Sequence, residues 1–309
     1  MFAFLTRRLL VAIPTLFVII ALAFFLMRAA PGSPFDLERP IPPEIKARIA
    51  AKFHLDKPVM VQFGYYLKDL AHGDFGPSMK YKDKSVGDII AEGFPVSAAL
   101  GLSAMLLAVL IGGLLGSFAA LRQNRPGDYA VMGLAMTGIS IPPFVTGPVL
   151  SLVFGLYLGL LPTAGLDRGR ITFSHMVLPV LTLALPYIAI ISRLMRASMI
   201  ETLRSNYIRT AFAKGLPEHT VIFRHALRTA ILPLVSYLGP ATAALLTGSI
   251  VVEKIFALPG IGRQFVMGAL QRDYTVVMGV VILYAALIIS FNLIADILYG
   301  VLDPKVRYD

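Results

Sequence analysis

The sequence predicts an all-α, polytopic membrane protein with six transmembrane helices. Three observations carry that expectation. Hydrophobic side chains make up 57% of the 309 residues and charged ones only 15%, whereas soluble domains carry about 25% charged residues. Several uncharged runs exceed the roughly 18 residues that mark a membrane span. The lysines and arginines gather between those runs rather than within them.

Residues 9–27 give the first span, with Arg7 and Arg8 before it and Arg28 after it. A secretory leader opens in a similar way, but its apolar core is only about 7–15 residues. The nineteen uncharged residues here favour an uncleaved helix. Residues 96–121 give the second span. Residues 129–161 carry no charge, yet this run is too long for one straight crossing. Pro142 and Pro143 interrupt it, so a kinked third span with a short interfacial piece is expected. Residues 171–192 form the fourth span, with Pro179 and Pro186 inside. Residues 230–252 form the fifth, with Gly239-Pro240, and residues 275–299 the sixth. Such prolines and glycines are tolerated where neighbours re-satisfy the freed backbone groups.

Six spans place both termini on one side. With the N-terminus inside, the inner segments 1–8, 122–128, 193–229 and 300–309 carry thirteen Lys/Arg. The short outer loops 162–170 and 253–274 carry five. The positive-inside rule therefore puts both termini in the cytoplasm. The formal charge of +10 is mostly this topology signal and does not point to nucleic acid.

The long outer loop 28–95 reads as folded. Its ten basic residues are nearly cancelled by nine acidic ones. Val59, Phe63, Tyr66, Leu67 and Leu70 recur at helical spacing, as do Ile45, Ile49 and Phe53 after Pro42-Pro43. Gly73–Ser78, GDFGPS, is turn chemistry. Val86, Ile89 and Ile90 suggest a short amphipathic helix leading into the second span. This loop either caps the helix ends or forms a docking surface for an external partner.

Several chemistries are excluded. With no cysteine, disulfides, thiolate metal sites and cysteine nucleophiles are absent. No G-x-x-x-x-G-K-[ST] phosphate loop or HExxH motif occurs. His175 in the fourth span reads as a hydrogen-bonded structural histidine. Intramembrane ionisable groups mark ion or proton pathways, and only Asp296 qualifies, with Asn292 one turn earlier. This pair reads as a possible pore or structural polar site. One carboxylate is thin support for a proton-coupled carrier, so the driving force is expected from a separate subunit.

The inner loop 193–229 holds a basic stretch. Tyr207–Gly215 reads as a short helix with Tyr207, Ala211 and Phe212 on one side and Gly215 at the C′ position. Leu216-Pro217 stops it. A second helix runs from Glu218 to about Leu232, with Ile222, Phe223, Ala226, Leu227 and Ala230 as its apolar side. The small residues Thr210, Ala211, Ala213 and Gly215 permit close backbone approach, and Arg209 and Lys214 supply polar contacts. Two physical readings stay open: a protrusion seated in a groove of a cytoplasmic protein, or a basic helix lying on anionic lipid.

The stretches YIRTAFAKGL and HALRTAILP resemble the cytoplasmic coupling loop of ABC-importer permeases. The general form of that loop is Glu-Ala-Ala, three residues, Gly, then Ile-x-Leu-Pro. Here Arg209 and Thr210 replace the first two residues, and Ala211 and Gly215 match. This variant looks like the peptide-importer branch. RRLLVAIPTLFVI, SPFDLERPIPPEI, HLDKPVMVQF, GDFGPSMKYKD, FPVSAALG, TGISIPPFV and VVEKIFALPGIG extend the likeness to the B-type permease of oligopeptide importers along nearly the whole chain, and SPFDLER and FGPSMKYKD lean towards oligopeptide rather than dipeptide or nickel cargo.

The resemblance implies a type I importer permease fold in a bacterial cytoplasmic membrane. It implies a second homologous permease subunit, two cytoplasmic ATPase subunits that bind ATP and Mg, and an external peptide-binding protein. No cofactor, metal or catalytic residue is implied in this chain. By this likeness Tyr207, Arg209, Thr210, Ala211, Phe212, Ala213, Lys214, Gly215 and Leu216 couple to an ATPase. Glu253, Lys254, Pro259 and Gly260 would lie near the external binding protein. Dipeptide, nickel or glycan cargo on the same architecture, and a proton-coupled carrier, are the alternatives.

Overall fold

A computed structural model describes residues 2–30, 51, 53–81, 83–166 and 172–302. The helix expected around Ile45 and Ile49, the SPFDLER segment and the tail after residue 302 lie outside them. The described residues are helical apart from turns, with a single isolated bridge between Pro77 and Ser85.

In chain order the helices are α1 Phe2–Ala29, α2 Val59–Ala71, α3 Val86–Leu121, α4 Pro126–Ser140 and α5 Pro143–Leu150, which continues as a π-helix over Ser151–Tyr157. Then come α6 Phe173–Leu203, α7 Asn206–Ala213 and α8, which joins Glu218–Thr220, a π-helical Val221–Ala226 and Leu227–Ala230. Last are α9 Leu232–Gly248, α10 Ile250–Ile255, α11 Ile261–Leu270 and α12 Tyr274–Leu302. By length and composition five helical stretches can span a membrane, or six if α4 and α5 count as one broken span.

Three segments differ from the sequence expectation. The Pro142-Pro143 break bends α4 against α5 by 103°, a sharper break than the expected kink. α3 does not begin with a separate amphipathic helix: it runs unbroken from Val86 through Pro95. α6 continues eleven residues past the expected end at 192, and within that extension Arg196 pairs with the Asp128 carboxylate.

The chain divides into two compact units. The first comprises Val96–Leu258 with the segment from Ile288 onward. Its core joins Leu100, Ala104 and Ala108 of α3, Leu178, Ala184, Ile188 and Ile191 of α6, Leu234, Ala241 and Leu245 of α9, and Phe256 and Leu258. Lipid tails are as apolar as leucine, so helices in a membrane associate through close packing. Gly112 and Gly116 supply it: a Cβ on Gly112 would lie 2.9 Å from the Ile188 carbonyl oxygen, and one on Gly116 would meet the Ser192 carbonyl. This G-x-x-x-G spacing seats α3 directly on the α6 backbone.

The second unit comprises Phe2–Pro95 and Pro259–Leu287. Phe24 of α1, only 1% exposed, stacks on Tyr66 with ring centres 5.7 Å apart and lies 5.2 Å from the Phe63 ring, both in α2. Val86 and Ile89 of α3 pack with Ile261 of α11 and Val276 and Val280 of α12. The turn after α2 is pinned by one buried carboxylate. Asp273 accepts from Ser78 Oγ at 2.5 Å, from the Met79 and Lys80 amides at 3.1 and 3.2 Å, from Thr275 Oγ1 at 2.9 Å and from the Val276 amide at 3.3 Å. It ties the turn to the N-terminus of α12, where a negative charge also meets the positive end of the helix dipole.

Candidate functional site

The coupling segment is assembled by the end of α6 and by α8. α6 stops at Leu203, and the Ser205 hydroxyl donates to the Thr202 carbonyl at 2.6 Å. The chain then turns extended at Ser205 and starts α7. At the far end Gly215 adopts φ +73°, the left-handed conformation that favours glycine. The Gly215 amide donates to the Phe212 carbonyl at 2.9 Å, and the Leu216 amide to the Ala211 carbonyl at 3.4 Å. These two bonds are a Schellman cap, accompanied as usual by an apolar contact next to the glycine: Ala211 and Leu216 belong to one cluster. Pro217 then caps the start of α8.

The buried face of α7 is Ile208 and Ala211, 1% and 7% exposed. They rest on Met195 and Met199 of α6, Ala120 of α3, and Val221, Ala226 and Ala230 of α8. This corrects the expected apolar side, because Tyr207 and Phe212 point outward, 45% and 46% exposed. Arg209, Thr210, Ala213, Lys214 and Gly215 are exposed with them, and Leu216 is half-buried. In α8, Phe223 is likewise exposed rather than packed. α7 is therefore a short rod of about 12 Å, apolar beneath and basic, aromatic and small-residued above. Neither Arg209 nor Lys214 meets a carboxylate among the described residues.

A charge pair fixes the helix that carries this rod. Arg196 on α6 donates from Nε to Asp128 Oδ1 at 2.7 Å and from Nη2 to Asp128 Oδ2 at 2.6 Å. Asp128 sits in the first turn of α4, with its side chain 1% exposed against 27% for Arg196. Its Oδ2 also accepts the Asn124 amide at 3.0 Å. Such bidentate, charge-assisted pairing fixes orientation as well as distance. Just past the end of α6, Arg204 Nη2 donates to Gln123 Oε1 at 3.2 Å. Sequence reasoning missed the Asp128–Arg196 pair. Its partners are 68 positions apart, and the only available signal was an arginine at the edge of an apolar run.

The other candidate residues fall apart from this segment. Asn292 and Asp296 are half-buried on α12. Glu253 is fully buried, and its Oε1 accepts hydrogen bonds from Ser97 Oγ at 2.6 Å and from Ser249 Oγ. It presents no surface for an external partner, so its part in the expected contact is corrected to an internal link between α3 and α10. Lys254 is exposed, Pro259 half-buried and Gly260 buried. His175 bonds through Nδ1 with Thr172 Oγ1 at 2.6 Å at the start of α6.

Comparison with known proteins agrees with this architecture. Residues 112–308 match the family described as the binding-protein-dependent transport system inner membrane component, and residues 1–101 match the corresponding N-terminal family. The chain is 57% identical over 308 residues to the oligopeptide transport system permease protein OppB of Salmonella typhimurium (strain LT2), covering 100% of both chains. It is 46% identical over 293 residues to the dipeptide transport system permease protein DppB of Bacillus subtilis, covering 95% of this chain and 94% of that one. Among solved structures, an inward-facing MetNI methionine ABC transporter shares the fold. Its TM-score is 0.57 at 16% identity, over 70% of this chain and 96% of that one. The chain is thus a multi-pass, all-α membrane protein of the type I permease fold, and it belongs to the binding-protein-dependent transport system inner membrane components.

Proposed function

We propose that this chain is one permease subunit of an ATP-driven importer that carries oligopeptides across the bacterial cytoplasmic membrane. The observation that carries the reading is the split character of α7. Its lower face is buried on α6, α3 and α8, while its upper face offers Tyr207, Arg209, Phe212 and Lys214 with small residues between them. A rod anchored on one side and unpartnered on the other is what a separate ATPase subunit can grip. Force on it would pass through Met195 and Met199 into α6, and through Arg196–Asp128 into α4.

Both termini and α7 would lie in the cytoplasm. The complex would comprise a second permease, two ATPase subunits that bind ATP and Mg, and an external peptide-binding protein. Lys254 would lie on the external side near that protein, while Asn292 and Asp296 would be a polar site of the pore or of its wall. The names of the full-length relatives favour oligopeptide cargo; the dipeptide permeases, at lower identity, are the second reading.

The test is peptide uptake into proteoliposomes holding the assembled complex, using peptides of two to five residues. ATP-dependent uptake of the longer peptides, abolished by Arg209→Glu with Phe212→Ala while the permease stays folded, is the expected result. Uptake that ignores ATP and follows a proton gradient would overturn it. Ala211 is unsuitable for this purpose, because a large side chain there would disrupt the cluster beneath α7.

A further inference from the structure

The second unit contains a cavity of about 110 Å³ where the end of α1 meets α2 and the turn that follows it. Its lining includes Phe24, Arg28, His54, Gln62, Tyr66 and Asp69. Three buried polar atoms there have no hydrogen-bond partner among the described residues: Arg28 Nε, Gln62 Oε1 and Tyr66 OH. Buried polar atoms are almost always satisfied by protein or by a bound molecule, and three in one cavity call for an occupant.

The three atoms differ in kind. The Arg28 guanidinium lies over the Phe24 ring, 5.2 Å from its centre, and no carboxylate pairs with it among the described residues. A half-buried cation without an anion is costly, so one part of the occupant is anionic. Burial raises the pKa of the Tyr66 phenol, which therefore remains a protonated donor beside that anion. Gln62 is 7% exposed, and its Nε2 is already committed to the Lys57 carbonyl at 2.7 Å. Its Oε1 is thus left as an acceptor, and the Asp69 carboxylate lines the same space. These two groups want a cationic donor. The complementary molecule is a zwitterion with an oxyanion at one end and an ammonium at the other.

Position identifies the class. Arg28 lies in the last turn of α1, an apolar helix long enough to cross a membrane, and the ends of such helices sit at headgroup level. The same helix exposes Leu22 and Leu26, 57% and 62%, apolar surface on which an acyl chain can lie. We propose that this cavity binds the phosphoethanolamine headgroup of a membrane phospholipid, with its phosphate on Arg28 and Tyr66 and its ammonium on Gln62 and Asp69. The room is that of about four water molecules, enough for the headgroup with the glycerol left outside.

The experiment is a thermal-stability titration of the delipidated, assembled complex in detergent, with bound lipid counted by native mass spectrometry. Phosphatidylethanolamine is expected to stabilise the wild type and to remain bound at one molecule per copy of this chain. Phosphatidylglycerol, which lacks the ammonium, should need a concentration about tenfold higher, as should phosphatidylethanolamine acting on Arg28→Gln or Tyr66→Phe. Tyr66→Phe keeps the ring stacked on Phe24 and so separates loss of binding from loss of fold. Equal response to the two lipids would overturn the zwitterion. Wild-type behaviour of both variants, or no lipid effect at all, would leave the cavity to water. Equal stabilisation by water-soluble phosphoethanolamine would overturn the lipid source.

Discussion

Two short segments of this chain, the helix α7 and the turn after α2, are held in place by opposite means. α7 is seated by apolar contact: Ile208 and Ala211 rest on two methionines and three alanines, and its polar residues face outward. The turn Gly76–Tyr81 is seated by polar contact, with the buried Asp273 taking hydrogen bonds from Ser78, Met79 and Lys80. Apolar contact is non-directional and falls off gradually when surfaces slide. Hydrogen bonds to a buried charge are directional and are lost outright. The first arrangement suits an element that transmits movement, and the second an element that keeps one geometry.

The sharpest way to break this contrast is at Asp273. Asp273→Ala leaves the buried Ser78 hydroxyl and Val276 amide, and the part-buried Met79 amide, without their acceptor, and should cost the second unit about 3 kcal/mol. It would show as rapid protease cleavage between residues 72 and 85. Asp273→Asn, which retains acceptor capacity on one oxygen, should fall between. If the alanine variant matches wild type, the turn is held by something other than the carboxylate. Asp128→Ala should come next, at about 2–3 kcal/mol. It leaves Arg196 partly buried and unpaired, though the 27% exposure of that side chain lets water recover part of the loss. The double variant Asp128→Ala with Arg196→Met should recover stability but not tight coupling of α4 to α6. The readouts are thermal unfolding and ATP-driven uptake measured on the same preparation.

A smaller effect is expected at Gly215. Space around it is open, so Gly215→Ala creates no clash. The penalty is the φ of +73° alone, about 1–2 kcal/mol, concentrated in the cap of α7. Faster amide exchange at Gly215 and Leu216, with unchanged exchange at Met195 and Met199, would confirm that the strain is local.

The helical spans were legible because membrane length and charge exclusion write themselves into composition. The Gly215 cap and the Pro217 stop were legible because each has a local steric cause. The apolar face of α7 was not. In eight residues, Tyr207-Ala211-Phe212 and Ile208-Ala211 are both plausible stripes, and only the position of Met195 and Met199 chooses between them. Those methionines lie on the stretch of α6 beyond the expected span end at 192. The carboxylate that receives Arg196 there, Asp128, lies 68 residues away and leaves no local trace. Glu253 differs for another reason: the family resemblance puts its segment near the external partner, yet two serine hydroxyls hold this carboxylate inside.

The smallest stability effect belongs to the residues with the largest functional one. Phe212 and Arg209 are exposed and lack partners among the described residues, so Phe212→Ala and Arg209→Glu should each change stability by less than about 0.5 kcal/mol. Both should nonetheless weaken co-purification of the ATPase subunits, about tenfold or more if Phe212 fills a pocket as an interface anchor does. Ile208→Ala is the converse. It leaves the outer face untouched but removes apolar bulk beneath α7, costing about 2–4 kcal/mol while the ATPase still binds whatever fraction remains folded. Thermal unfolding and subunit recovery, measured side by side, should therefore sort the three variants into two classes. If Phe212→Ala lowers stability and spares assembly, the outward face is not the gripped one, and α7 is a basic helix lying on lipid rather than a handle.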